Sequence, residues 1–160
     1  MPVFLLAMAV ALADQITKEW VVRSFAYHET RTVIPGFFNL THVRNPGAAW
    51  GILGGQSVLL TVLSAVILAV LVIGRKRILS DTRTHRLALG VMAGGILGNL
   101  FDRLRYGWVV DFLDFYVGRW HWPAFNVADA AICIGVGIYL LTSFQKQDDP
   151  SGSAAPETRG

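Results

Sequence analysis

The chain has 160 residues, 53% of them hydrophobic and 16% charged, with a mean hydropathy of +0.47. That is too apolar for an ordinary soluble domain of this size. The formal charge of +3 and pI of 9.4 do not point to nucleic acid, because the basic residues crowd into one short stretch.

Four apolar stretches, approximately 2–23, 57–74, 87–104 and 124–144, are each close to the length of a bilayer-spanning helix. A soluble four-helix bundle would need charged outer faces, and Ser57 to Gly74 contains no charge at all. The reading is therefore a mainly α membrane protein with four transmembrane helices.

The first stretch mimics a secretory signal. Val3 to Leu12 resembles an apolar signal core, and Ala11-Leu12-Ala13 a small-residue cleavage site. No basic segment precedes it, so it is read as the first half of span one. Asp14, Thr17 and Lys18 interrupt this span. Asp14 and Lys18 are four apart, on one helical face and in the favourable acidic-first order, which predicts a structural ion pair facing the bundle.

The connection after span one is rich in β formers. Thr32 to Ile34, the turn at Pro35-Gly36 and Phe37 to Val43 predict a small extracytoplasmic sheet. Asn45-Pro46-Gly47 is a further turn. Between spans two and three, Arg75, Lys76, Arg77, Arg83 and Arg86 form the signature of a cytoplasmic loop. Both termini are then cytoplasmic, and residues 24–56 and 105–123 lie outside.

Span three carries Gly90, Gly94 and Gly98 at four-residue spacing with Gly95 beside them, a stripe that lets helices approach closely. Its outer end turns polar at Asn99, Asp102 and Arg103. Tyr106 to Trp122 alternates like a hairpin around Gly118-Arg119. The tryptophans, Trp20, Trp50, Trp108, Trp120 and Trp122, all fall on the outer side. They suit an aromatic belt and equally a lipid-facing entrance. The lone cysteine, Cys133, lies in span four and forms no intrachain disulfide. Residues 1–145 are read as one membrane domain. The polar remainder, 146–160, is read as a disordered cytoplasmic tail.

Asp111 and Asp129 flank the start of span four. Ionisable residues in or beside a membrane span are costly and mark functional sites. Two carboxylates meeting in one low-dielectric pocket can share a proton and do acid/base chemistry. Asn126 and Asp129 are three apart and share a face, and Asp129 falls about six residues into the span, roughly 9 Å below its outer end. His28, His42, His85 and His121 have no metal-ligand spacing, and no serine sits in a nucleophile elbow. No metal or cofactor is expected. On the residues alone, three readings stand: a peptidase, a small proton-coupled transporter and a non-catalytic membrane scaffold. The transporter lacks an internal repeat and a midplane site. The scaffold leaves Asp111 and Asp129 without cationic partners close in sequence.

Five segments then narrow the choice. They are Asp14-Gln15-Ile16-Thr17-Lys18, Asn45-Pro46-Gly47-Ala48-Ala49-Trp50-Gly51, Gly94 to Arg103, Val109-Val110-Asp111-Phe112 and Phe125-Asn126-Val127-Ala128-Asp129. In order and spacing they resemble the lipoprotein signal peptidases (signal peptidase II), across roughly residues 5–140. Trp50 departs mildly, since the family more often has phenylalanine there.

The resemblance implies an aspartic endopeptidase of the bacterial inner membrane, active near its outer face. Such an enzyme removes signal peptides from prolipoproteins by cutting before a diacylglyceryl-modified cysteine. It implies that Asp111 and Asp129 are the catalytic pair. Asn45, Asn99, Arg103 and Asn126 would surround them, with Asp14 and Asp102 in support. Arg103 fits either a donor to the substrate main chain or an ion-pair partner of Asp102. The implied fold is four transmembrane helices, a small extracytoplasmic β-sheet cradle and a short interfacial helix. The expected partners are diacylglyceryl-modified prolipoproteins and membrane lipids, with the chain a monomer.

Overall fold

The structure, a computed structural model, describes residues 3–47, 53–78 and 82–147, with 75–78 and 145–147 described for the main chain only. Eight elements follow in chain order: α1 Val3–Ser24, β1 Thr30–Ile34, β2 Phe38–Asn45, α2 Ser57–Ile78, α3 Arg83–Tyr106, β3 Val109–Val117, β4 Trp120–His121 and α4 Val127–Gln147. The helices form the bundle and the strands form one antiparallel sheet in the order β1-β2-β3-β4. Trp50 and residues 148–160 of the predicted tail lie outside the described residues.

Helix α3 is the axis, packed on both α1 and α4. Its glycines make this possible. A Cβ on Gly94 would come within 2.6 Å of the Ala7 carbonyl oxygen of α1, and one on Gly95 would collide with the Ala128 carbonyl oxygen of α4. Gly98 faces Asp14 and Ala128. The predicted stripe therefore seats two helices rather than one.

Among the described residues, three helices are long and apolar enough to cross a membrane: Ser57–Gly74 within α2, Arg83–Tyr106, and Val127–Phe144 within α4. Helix α1 is long enough at 22 residues, but Asp14, Lys18 and Glu19 interrupt its apolar run. Between Ser57 and Gly74 only Leu60 of α2 is buried, and Val58 at 79% and Ile73 at 82% are the most exposed of its large apolar residues. The uncharged stretch Ser57–Gly74, bare over most of its surface, needs an apolar solvent, so lipid is the environment it fits.

The sheet joins the two connections that the sequence shows only as separate hairpins. β1 and β2 turn at Gly36, whose φ of +81 suits a residue without a Cβ. β2 then pairs with β3, from Phe38 opposite Phe115 to Asn45 opposite Val109. β3 and β4 close around Gly118, as the alternation predicts. Val110 and Phe112 of β3 pack with Val21 of α1 and Phe25 just after it, with Leu40, Leu113 and Val127 around them. That apolar cluster ties the sheet to one end of the bundle.

Candidate active site

Three local devices aim the polar side chains. Gly107 ends α3 in the left-handed conformation and donates to the Arg103 carbonyl oxygen at 3.0 Å, turning the chain directly into β3. Asp111 is thereby carried back over the last turns of α3. Helix α4 then opens with Asn126 as its N-cap. The Asn126 Oδ1 accepts from the Asp129 N–H at 3.0 Å, and the Asn126 N–H donates to Asp129 Oδ2 at 3.2 Å. Asp129 thus sits in the first turn of α4. The depth read from the sequence, about six residues into the span, is corrected accordingly, because Phe125 is extended and bridges to Leu113.

Asparagine amides hold both carboxylates. Asn126 Nδ2 donates to Asp111 Oδ1 at 2.7 Å, and Asn45 Nδ2 donates to Asp111 Oδ2 at 2.8 Å. Asn99 Nδ2 donates to Asp129 Oδ1 at 2.7 Å. Asn126 also reaches Asn99 Oδ1 at 3.2 Å, so one amide network spans α3, β3 and α4. Asp111 is buried and Asp129 half-buried. Burial pushes the Asp111 carboxyl up to about 7, the Asp129 charge adds to the rise, and the Asn45 and Asn126 hydrogen bonds oppose it. At neutral pH the pair can hold a proton and still have a carboxylate free to accept one.

Beneath this lies a buried ionic layer. Lys18 Nζ lies 2.8 Å from Asp14 Oδ2 and 3.1 Å from Asp102 Oδ2, and it donates to Asn99 Oδ1 at 2.9 Å. The Asp14–Lys18 pair expected from the sequence is therefore formed and extends to a third residue. Asp14 Oδ1 also accepts the Ala128 N–H at 2.9 Å, and Asp102 Oδ2 accepts the Val110 N–H at 3.1 Å. Gln15, whose role the sequence did not suggest, adds a 2.8 Å bond to Asp102 Oδ1. Arg103 is not the ion-pair partner of Asp102. Adjacent helical residues point about 100° apart. Arg103 is half-buried instead, donates to the Gly47 carbonyl oxygen at 3.4 Å, and feels Asp129 and Asp111 first and Asp102 less.

All eight sequence-derived site residues, Asp14, Asn45, Asn99, Asp102, Arg103, Asp111, Asn126 and Asp129, belong to one connected cluster where the bundle meets the sheet. Two members fall outside that set: Gln15, and Lys18, which was expected only as the partner of Asp14 and also joins the ionic layer to Asn99. The histidines lie apart from this cluster. His85, near the start of α3, contacts Thr82, Thr142 and Ser143, and His121 Nδ1 lies 2.8 Å from Asp114 Oδ1 in the sheet. Ser143 donates to the Tyr139 carbonyl oxygen at 2.7 Å, as a residue tied to its own helix does.

Fold and site together define a helical membrane protein built around a pair of carboxylates. The chain belongs to the signal peptidase (SPase) II family, which it matches over residues 6–145. It is 45% identical over 150 residues to the lipoprotein signal peptidase of Syntrophus aciditrophicus, covering 89% of this chain and 91% of that one. To the lipoprotein signal peptidase of Desulforapulum autotrophicum it is 46% identical over 145 residues, covering 85% and 87%. A bacterial membrane enzyme solved at 2.3 Å by the in meso method superposes with a TM-score of 0.85 at 31% identity, over 96% of this chain and 94% of that one. A second, solved at 1.9 Å, gives 0.77 at 33% identity, over 89% and 92%.

Proposed function

We propose that this chain is an aspartic endopeptidase that removes signal peptides from bacterial prolipoproteins, cutting just before the diacylglyceryl-modified cysteine. Asp111 and Asp129 are its catalytic pair. The observation that carries this reading is the shared asparagine. Asn126 holds Asp111 by its side-chain amide and Asp129 by its main-chain N–H, so one residue ties together two carboxylates of different burial.

In this mechanism Asp111 holds the shared proton, and Asp129 takes a proton from the attacking water. The water oxygen bonds to the scissile carbonyl carbon while Asp111 protonates the carbonyl oxygen, giving a neutral gem-diol. Asp129 then passes its proton to the leaving nitrogen as the C–N bond breaks. Asp111 recovers its proton from one hydroxyl, which restores the starting state. Arg103, close to both carboxylates, donates to the substrate main chain. Asn45, Asn99 and Asn126 orient the pair, and Asp14 and Asp102 anchor α1 and β3 against α3 and α4.

Helix α1 is the fourth span. Asp14 at 0% and Lys18 at 2% exposure turn inward, Glu19 and Arg23 pair near the helix end, and Phe4, Leu5, Met8, Leu12 and Ile16 face outward as a lipid surface. Both termini are cytoplasmic, and the pair lies near the outer face of the inner membrane. Arg83 and Arg86 begin α3 whereas Asn99, Asp102 and Arg103 lie toward its other end, about 20–30 Å away along the helix. The sheet is the cradle over the pair, residues 1–145 are the membrane domain, 146–160 the tail, and the chain works as a monomer on lipid-embedded substrate.

The test compares one prolipoprotein with and without its diacylglyceryl group in the same lipid, with the products identified by mass spectrometry. Cleavage before the cysteine of the modified form alone is expected. Equal rates for both forms would replace this reading with a general membrane aspartic peptidase. Transport of protons without hydrolysis would restore the transporter.

A further inference from the structure

Outside the catalytic cluster, the outer end of the bundle carries two kinds of arginine. Arg23 and Arg31 are each neutralised by a glutamate, Glu19 and Glu29, at 2.7 Å. Arg44 and Arg105 have no carboxylate and donate no hydrogen bond among the described residues. Aromatic rings hold them instead. The Arg44 guanidinium lies 4.5 Å from the Tyr27 ring centre and 4.9 Å from that of Trp108. Trp108 stacks on Tyr106 at 5.8 Å and 22°, and the Arg105 guanidinium lies 4.7 Å from the Tyr106 ring. The result is a ladder in the order Tyr27, Arg44, Trp108, Tyr106, Arg105, drawn from the α1–β1 connection, β2, α3 and the turn between α3 and β3.

We infer that this ladder docks the outer end of the protein onto anionic phospholipid headgroups. Three features select that partner. The Arg44 guanidinium lies against two rings and that of Arg105 against one, which leaves their N–H groups free to meet phosphate oxygens. Both arginines are exposed and uncompensated, so the surface is complementary to negative charge. The height also fits. Arg105 is in the last turn of α3, directly after Leu104 at 70% exposure and one turn above Phe101 at 49%, where a lipid-facing helix leaves the hydrocarbon. Arg44 precedes Asn45, which holds Asp111, so the contact fixes the strand that carries part of the site at a set distance from the leaflet. The inference requires only that the bundle lies in a bilayer, and it stands apart from the aspartic chemistry.

Trp108 supplies the probe. A full-length variant retaining Trp108, with Trp20, Trp50, Trp120 and Trp122 changed to Phe, is reconstituted in phosphatidylcholine vesicles. The vesicles contain a fixed minor fraction of brominated phosphatidylglycerol or of brominated phosphatidylcholine. Brominated phosphatidylglycerol is expected to quench Trp108 the more strongly. The preference should fall about fivefold with each Arg→Gln change, at Arg44 or Arg105, the factor expected for one basic residue at an anionic surface. Arg44→Lys and Arg105→Lys keep the charge but lose the fork and the ring stacking, so each should lose less of the preference than the Gln variant yet stay below the parent, and salt should weaken the preference in the parent. Equal quenching by the two lipids in the parent, or a preference indifferent to salt, overturns the inference without needing any arginine variant to fold. A preference undiminished in the Arg44→Gln/Arg105→Gln protein also overturns it.

Discussion

Asn126 and Asp129 cap one another. The main-chain N–H of each is accepted by a side-chain oxygen of the other, at 3.2 and 3.0 Å, at the first turn of α4. The start of a membrane helix and the placement of a candidate catalytic carboxylate are therefore one structural event. Because the cap uses Asn126 Oδ1, the Nδ2 group is left to point at Asp111.

The catalytic assignment predicts that Asp111→Asn and Asp129→Asn each lower the cleavage rate by about 10²–10⁴-fold, the range for loss of a general acid or base. Insertion and thermal melting should persist in both. A cleanly folded variant with most of its activity would remove that aspartate from the pair.

Asp111 also predicts a pH dependence. Its carboxyl titrates near about 7 in the folded chain against an ordinary 3.8, and the elevation comes first from burial and then from Asp129. The neutral form is thus favoured on folding. Its contribution to stability is fully present at low pH and declines as pH rises through about 7. The cleavage rate should fall over the same window as the shared proton is lost. Melting curves and rates measured from mildly acidic to mildly alkaline pH check both. In Asp111→Asn the stability slope should flatten.

Asn126 separates capping from catalysis. Asn126→Asp keeps a good N-cap but replaces the donor to Asp111 with an acceptor, so cleavage should drop by about 10²-fold with the helix start intact. Asn126→Ala loses both functions and should cost about 1 kcal/mol more in stability for the missing cap. Equal melting losses in the two variants would count against the mutual cap.

Lys18 stands between two buried aspartates, so Lys18→Met should leave uncompensated charge and destabilise by about 3–5 kcal/mol. Arg23→Met breaks a pair whose side chains are 76% and 42% exposed, and should change stability by well under 1 kcal/mol. Denaturation of both variants in the same detergent makes the comparison. Similar losses would mean that Lys18 is not the hub the geometry indicates.

Gly95 tests the helix packing that brings Asp129 to its place. A methyl group there meets the Ala128 carbonyl oxygen, which is main chain and cannot rotate away, so Gly95→Ala should displace α4 and reduce cleavage. Gly137→Ala, where nothing lies within 4 Å, should leave both activity and melting unchanged. Assays of the two alanine variants side by side decide it.

Local signals were readable where composition alone carries them. The uncharged run of α2, the turns at Gly36 and Gly118 and the ionic pair Asp14–Lys18 all fall within a few residues of sequence. Pairing across long separations was not readable. Nothing in β2 alone says that Asn45 will meet Asp111, 66 positions later, because strand partners are chosen by the assembled fold. The start of α4 was misjudged because Ala124 and Phe125 are apolar and extend the hydropathy run, while the cap at Asn126 sets the boundary. Asp102 and Arg103 looked like a pair by adjacency. Helix geometry separates them, and the true partner of Asp102 comes from α1.

The hydrogen bond from the Ala128 N–H to Asp14 links positions 114 residues apart, so the centre draws on both the first and the last helix of the chain. During synthesis, Asp14 enters the membrane early and waits through two more helices and four strands for its partner. A nascent chain that ends before α4 carries Lys18, Asn99 and Asp102 but neither Asn126 nor Asp129. On the proposed assignment, cleavage therefore waits for α4 to dock, and a copy that has not yet received it is inert.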